Sequence, residues 1–193
     1  MKRVCVFCGS SMGARPEYAE AARQVGHAIA VRRLELVYGG AKVGLMGVVA
    51  DAALAANGRV IGVLPDILMT KERAHAGLTE LRVVGSMHER KSQMADLADA
   101  FIALPGGMGT FEEFCEIVTW AQLGLHRKPC GLLNVAGYYD PLIAQVEHAI
   151  ADGFIRAEQR GMVMAASTIE ELLIQFENYI PPAPSIEINR SQT

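Results

Sequence analysis

Short apolar runs alternate with longer stretches of helical periodicity along the chain, a pattern that predicts a strand followed by a helix several times over. Lys2–Cys8 reads as a strand that turns at Gly9-Ser10-Ser11. Pro16 suits the first turn of a helix reaching about Arg33, with Tyr18, Ala22, Val25 and Ile29 on one stripe. Leu34–Tyr38 is a second strand ending at Gly39-Gly40, and Leu45–Ala56 an apolar helix closed by the C-cap pair Asn57-Gly58. Val60–Leu64 is a third strand, stopped by Pro65. Residues 66–78 show no clean period and cluster charges, so a mobile loop is expected there, a common place for function.

The second half repeats the alternation. A short strand at Leu81–Val84 precedes a helix from about Met87 to Ala98, then a strand at Ala100–Leu104. The loop 105–110 leads into a helix from about Phe111 to Leu123. Cys130–Asn134 and Met162–Ala165 are strands, and Pro141–Asp152 and Thr168–Tyr179 are helices. Residues 1–180 form one expected domain, and the proline-rich, polar segment 181–193 reads as a loose tail. Such alternation means an α/β fold, a doubly wound parallel sheet with helices on both faces. Ligands of these sheets bind beyond the carboxyl ends of the strands, where the strand order reverses. The turns Gly9-Ser10, Gly39-Gly40 and Gly106-Gly107 all follow strands and would converge on that one edge.

Composition narrows the choice without naming a function. The 193 residues are 51% hydrophobic and 20% charged, enough apolar material for a full core and too much for a disordered chain. A formal charge of −3 asks for neither nucleic acid nor an anionic membrane as partner. No apolar run approaches the ~20 residues of a membrane span, and the apolar part of the N-terminus, Val4 to Cys8, is too short for a signal peptide. A cytoplasmic protein is expected. Cys5 and Cys8 form a lone C-x-x-C at the end of a strand, and with Cys115 and Cys130 they read as reduced thiols. The five histidines lack any metal-ligand spacing, and G-x-S-x-G is missing.

Two stretches carry candidate chemistry. In LPGGMGTFEEF, residues 104–114, a glycine-rich turn feeds a helix start whose first amides lack intrahelical partners. Such a start binds phosphate through its N–H groups and the positive end of the helix dipole. The stretch is neither a P-loop nor G-x-G-x-x-G, which favours a mononucleotide or sugar phosphate over a dinucleotide. Glu113 stands three residues after Thr110, so it reads either as a capping-box carboxylate or, with Glu112 as an alternative, as a catalytic acid. In SMHERK, residues 86–91, Glu89 is the capping-box partner of Ser86. Arg90 and Lys91 oppose the dipole at the start of that helix, and either meet an anionic partner or point into solvent. Met87 and Met94 read as core residues, though a methionine can also line a planar base. On the later helix, Phe111, Phe114, Cys115 and Val118 are expected to face inward and Glu113, Glu116, Ile117 and Trp120 outward. That outward Trp and Ile would mark a subunit contact.

PGGMGTFEE and MHERK together resemble the LONELY GUY family of cytokinin riboside 5′-monophosphate phosphoribohydrolases, whose members are often labelled lysine decarboxylases. CVFCGSS, VYGGAKVGLMG, VIGVLP, TWAQLGLHRKPCGLLN and GYYDPL extend the resemblance over about residues 2–180. One departure is Ala41, where many members carry a third glycine. The resemblance implies a Rossmann-like fold and hydrolysis of the N-glycosidic bond of AMP or an N6-prenylated AMP, giving free base and ribose 5-phosphate. By the same resemblance Arg90 and Glu113 match the catalytic pair, and Lys91, Gly107, Met108, Gly109 and Thr110 match nucleotide-binding positions. Phe111 and Glu112 lie in the same stretch, and Glu72 and Thr119 match more isolated ligand contacts. No cofactor or metal is implied, and the implied assembly is a homodimer. Rival readings are a carrier of a phosphorylated pterin-like cofactor, a pyridoxal-dependent decarboxylase, and a scaffold acting through the tail.

Overall fold

Every strand of a sheet covered on both faces must bury side chains in both directions, and the central strand does so. Strand β1 (Arg3–Phe7) sends Val4 and Val6 into one apolar layer and Cys5 and Phe7 into the other. The computed structural model describes residues 1–69 and 74–185. Around β1 stand β2 (Glu35–Tyr38), β3 (Arg59–Pro65), β4 (Glu80–Val84), β5 (Ala100–Ala103), β6 (Cys130–Leu133) and β7 (Met164–Ala166). The sheet has seven strands in the order β4-β3-β2-β1-β5-β6-β7, and every pairing is parallel. The expected doubly wound, Rossmann-like sheet is therefore present. Pro65 closes β3 from inside rather than stopping it, in register with Val84 of β4.

Helices α1 (Pro16–Val31), α2 (Gly44–Ala55) and α6 (Ile169–Glu177) cover one face; Val25, Ile29, Val49, Leu172 and Phe176 meet the Val4 side of the sheet. Helices α3 (Met87–Leu97) and α4 (Met108–Gln122) cover the other with Met94, Phe114 and Ile117. Helix α5 (Asp140–Ala151) lies outermost and buries no residue. The C-cap signal of Asn57-Gly58 is realised as a Schellman motif. Asn57 takes φ +58°, its N–H reaches the Leu54 carbonyl at 2.9 Å, and Gly58 N–H reaches Ala53 at 2.8 Å.

Two expectations change. Helix α4 begins at Met108, three residues earlier than the spacing predicts, so Met108, Gly109 and Thr110 are helical rather than loop. Its inward stripe is Thr110, Phe114, Ile117 and Ala121. Cys115 is exposed, Ile117 is buried in the core, and Trp120 packs half-buried against the same core cluster. The supposed outward Trp–Ile pair is therefore not a surface patch. The 181–185 part of the tail is tied down: Ser185 N–H donates to the Gln122 carbonyl at 2.8 Å, and Gln159 donates to the Ser185 hydroxyl at 2.5 Å.

Helices α1 and α2 touch backbone to backbone at Gly26, where an added Cβ would lie 2.3 Å from the Val49 carbonyl oxygen. Gly26→Ala would ordinarily gain ~0.5–1 kcal/mol of helix propensity. Forcing the helices apart costs more, so the expected outcome is a net loss of ~1–3 kcal/mol, read as a lower denaturation midpoint. The core also holds Cys5, Cys8 and Cys130, and burial pushes all three thiols well above their ordinary pKa. At pH 8 iodoacetamide is expected to modify Cys115 and spare those three until denaturant is added, which mass spectrometry checks.

Candidate active site

The strand order reverses between β1 and β5, so the chain leaving each strand departs to opposite sides and opens a cleft at their carboxyl ends. The two departing loops are stitched together first. Gly9 N–H donates to the Pro105 carbonyl and Leu45 N–H to the Gly9 carbonyl, both at 3.0 Å. At Gly106 an added Cβ would lie 2.1 Å from the Thr110 hydroxyl oxygen and 2.9 Å from Gly9 N, so only glycine allows this approach. Beyond the crossing lies a cleft of about 300 Å³. Cys8, Gly9 and Ser10 line it from the β1 side, Met46 from α2, Leu68 from the turn after β3, Met87 and Arg90 from α3, and Gly107 to Thr110 with Glu112 and Glu113 from α4.

The α4 side supplies backbone. Gly107 is the N-cap and offers no side-chain cap, and the first helical bond runs from Phe111 N–H to its carbonyl at 3.1 Å. Side chains built at Gly107 or Gly109 would meet nothing within 4 Å, so the helix start opens directly onto the cleft. Thr110 is the third helical residue and is buried. It is thus not an N-cap, and the expected capping box with Glu113 does not form. That reading of Glu113 is overturned because the helix starts earlier. The carboxylate instead faces Arg90, with 3.7 Å from Glu113 Oε1 to Arg90 Nη1 and only 12% and 8% of the two side chains exposed.

Arg90 does not point into solvent. Its Nε donates to the Val63 carbonyl at 3.2 Å and its Nη2 to the Gly39 carbonyl at 3.4 Å, at the ends of β3 and β2. The guanidinium lies across Gly39 so closely that a Cβ there would stand 1.9 Å from Nη2. Two carbonyls thus fix the plane of the group and leave Nη1 toward Glu113. The start of α3 is firmly capped: Ser86 Oγ accepts from Glu89 N–H at 3.1 Å, and Glu89 Oε2 accepts from Gly85 N–H at 2.8 Å. The structural reading of Glu89 therefore holds.

Other expected site residues are placed differently. Lys91 does not line the cleft; its ammonium pairs with Glu112 at 2.5 Å and Glu116 at 3.0 Å, tying α3 to α4. Burial alone would lower its pKa, but the hydrogen bonds and charges of the two carboxylates outweigh it and hold the pKa above the usual lysine range. Phe111 is half-buried behind the cleft, stacked on Tyr138 with ring centres 6.4 Å apart. Met108 is 81% exposed at the rim. Thr119 sits on the exposed side of α4, its hydroxyl bonded to the Cys115 carbonyl at 2.7 Å, and the fold does not bring it to the cleft. Glu72 lies outside the described residues, as does the middle of the expected loop 66–78. The described flank beyond it is anchored by His75, whose N–H reaches the Gly40 carbonyl at 3.0 Å and whose Nε2 meets Asp51 at 2.8 Å. Ala41, the departure from three glycines, is fully buried and bridges to Ala74 with no positive φ.

Sequence reasoning missed Met46 and Leu68, since an apolar residue after a strand carries no signal of its own. Ser10 was legible only as part of a converging turn. Among the described residues no cluster of three or more His, Cys, Asp or Glu is arranged to hold a metal ion.

The family model described as "Possible lysine decarboxylase" matches residues 46–176. A probable cytokinin riboside 5′-monophosphate phosphoribohydrolase of Oryza sativa subsp. japonica is 53% identical over 180 residues, covering 93% of this chain and 79% of that protein. A cytokinin riboside 5′-monophosphate phosphoribohydrolase of Arabidopsis thaliana is 51% identical, covering 93% of this chain and 83% of its own length. Among solved structures, the molybdenum cofactor binding protein of Rippkaea orientalis superposes with a TM-score of 0.68 at 25% identity, covering 92% of this chain and 96% of that one. With identity near one half along almost its whole length, the chain belongs to the LONELY GUY (LOG) family, the family that the lysine decarboxylase description also covers.

Proposed function

We propose that the protein hydrolyses the N-glycosidic bond of adenine-type nucleoside 5′-monophosphates, AMP or its N6-prenylated forms, to free base and ribose 5-phosphate. The observation that carries this is the meeting of Glu113 and Arg90 with the uncapped start of α4 in one small cleft. Amides without intrahelical partners and the helix dipole suit a phosphate. Glu113 lies one turn past Gly109, about 6 Å along the axis, which sets its carboxylate near the ribose rather than against the phosphate. Cleavage passes through an oxocarbenium-like state, with positive charge growing on the sugar. Glu113 either stabilises that charge through the ribose hydroxyls or takes a proton from the attacking water. The water oxygen ends on C1′, and a proton goes to the departing base nitrogen. Arg90, held rigid by Gly39 and Val63, meets the base side and eases its departure. Glycines 107 and 109, Met108 and Thr110 hold the phosphate end, and Glu112 and Lys91 brace the α3–α4 seam beside it.

The relatives' names support this chemistry. A carrier role is the second reading, favoured by the fold shared with a cofactor binding protein. It predicts a retained ligand and no released base. Pyridoxal chemistry is disfavoured at Lys91, because a Schiff base needs a neutral amine and two carboxylates keep this one charged. Free thiols at all four cysteines suit a reducing compartment, so we assign the protein to the cytoplasm. Among the described residues no helix is long and apolar enough to cross a membrane. We also assign a homodimer built on α5, whose Leu142, Ile143, Val146 and Ile150 lack deep burial in the single chain, with Phe154 84% exposed beside them.

Incubation with AMP and N6-isopentenyl-AMP is expected to release base and ribose 5-phosphate from both, and neither from the corresponding nucleosides. Recovery of intact nucleotide bound to the protein would favour the carrier. Glu113→Gln is expected to lower turnover by about 10²–10⁴-fold with only a few-fold loss of nucleotide affinity; near-normal turnover would remove Glu113 from the chemistry. Light scattering is expected to give a dimer for the native chain and a monomer for Phe154→Glu.

A further inference from the structure

Three consecutive carbonyls of the turn before α4 are each tied by a different donor. Leu104 accepts from the Tyr139 hydroxyl at 2.6 Å, Pro105 from Gly9 N–H at 3.0 Å, and Gly106 from the Tyr138 hydroxyl. Both tyrosines come from the turn between β6 and α5, far from the cleft in sequence. Ala136 and Gly137 there adopt φ of +52° and +73°, reversing the chain so that both rings face the turn before α4. Asn134 locks the reversal: its Oδ1 accepts from Tyr139 N–H and its Nδ2 donates to Asp140, both at 2.7 Å. The Tyr138 ring is further held edge-on by Tyr18, with centroids 5.6 Å apart, and stacked against Phe111.

The two hydroxyls do different things because of what lies at the other end of each peptide. A trans peptide places its N–H opposite its carbonyl. Fixing the Leu104 carbonyl aims only the nitrogen of Pro105, which has no hydrogen to offer. Fixing the Gly106 carbonyl toward Tyr138 turns the N–H of Gly107 away from Tyr138, toward the cleft that Gly107 lines and Tyr138 does not. With no side chain at Gly107 and no cap, nothing at the residue itself would hold that amide in place. We infer that Tyr138 is a positioning residue: by fixing the Gly106–Gly107 peptide, it aims the first amide of the anion-binding helix start. Tyr139 serves the fold alone. This rests on the proposed nucleotide hydrolysis, and in particular on docking of the phosphate at α4.

The test compares the native chain, Tyr138→Phe and Tyr139→Phe, each titrated calorimetrically with ribose 5-phosphate and, separately, with adenine. Tyr138→Phe keeps the ring and its contacts. It is expected to weaken ribose 5-phosphate about 3- to 10-fold, the worth of one hydrogen bond, with adenine affinity unchanged and the thermal midpoint within a few degrees. In turnover of AMP its KM should rise by a similar factor with kcat retained. Tyr139→Phe is expected to lower the thermal midpoint and leave ribose 5-phosphate affinity as it was. Native binding of ribose 5-phosphate with equal binding by Tyr138→Phe would overturn the positioning role and leave the proposed function standing. Parallel loss of adenine, or loss of the fold in Tyr138→Phe, would make the hydroxyl structural and overturn the role as well. Failure of the native chain to bind ribose 5-phosphate would sink the phosphate dock itself, and this inference with it.

Discussion

An α-helix begins with amides that its own geometry cannot satisfy, and most proteins cover them with a serine, threonine or aspartate side chain. Helix α4 starts instead on Gly107, which has nothing to cover them with. Ser86 and Thr168 cap α3 and α6, whereas α1, α2 and α5 start without a side-chain cap as α4 does; α4 differs in that its first residues, Gly107 to Thr110, line the cleft. In the proposed function, the open start of α4 is what would hold the nucleotide's phosphate. Its position at the strand-order reversal brings the remaining groups within reach. Close approach of Gly9 and Gly106 makes this possible, because any side chain at 106 would collide with Thr110 and the neighbouring loop.

Opposite charges are held near one another without being allowed to collapse. Arg90 spends two of its nitrogens on the carbonyls of Val63 and Gly39, so its third remains at 3.7 Å from Glu113, longer than a good charge-assisted bond. The proposed function places the ribose and base of a nucleotide beside this pair. Lys91 is the counter-case. Its charge is already satisfied by Glu112 and Glu116, and it contributes rigidity to the seam that carries Arg90 and Glu113.

Much of this was legible in the sequence, and the reasons for the rest are physical. The β/α alternation placed most strands and helices because short apolar runs and amphipathic stretches have different periods. The converging glycine turns were legible because each follows a strand of a parallel sheet. The start of α4 was not, since Gly107 and Gly109 carry poor helix propensity and read as loop; tertiary ties on the preceding carbonyls override that propensity. That one displacement dissolved the Thr110–Glu113 capping box. The inward stripe was misread for a different reason. Phe111, Phe114 and Val118 do pack against the core as expected, but Cys115 is exposed, Ile117 and Trp120 join the core cluster, and Thr110 is small enough to lie close to Gly106. Spacing left Lys91 open between an anionic partner and solvent, and only the family resemblance made it a ligand contact; its carboxylate partners, 21 and 25 residues away, are invisible to spacing. Thr119 matched a family position, yet nothing local shows that its side of α4 turns away from the cleft.

The central claim is spatial: phosphate at the uncapped helix start, sugar beside Glu113. A crystal structure of the slow variant Glu113→Gln soaked with AMP reads it directly. The account predicts phosphate oxygens within hydrogen-bonding distance of the amides of residues 107–110, C1′ next to residue 113, and the adenine toward Arg90. A nucleotide bound elsewhere, or bound with its phosphate away from α4 and its base against Gly107, would contradict it.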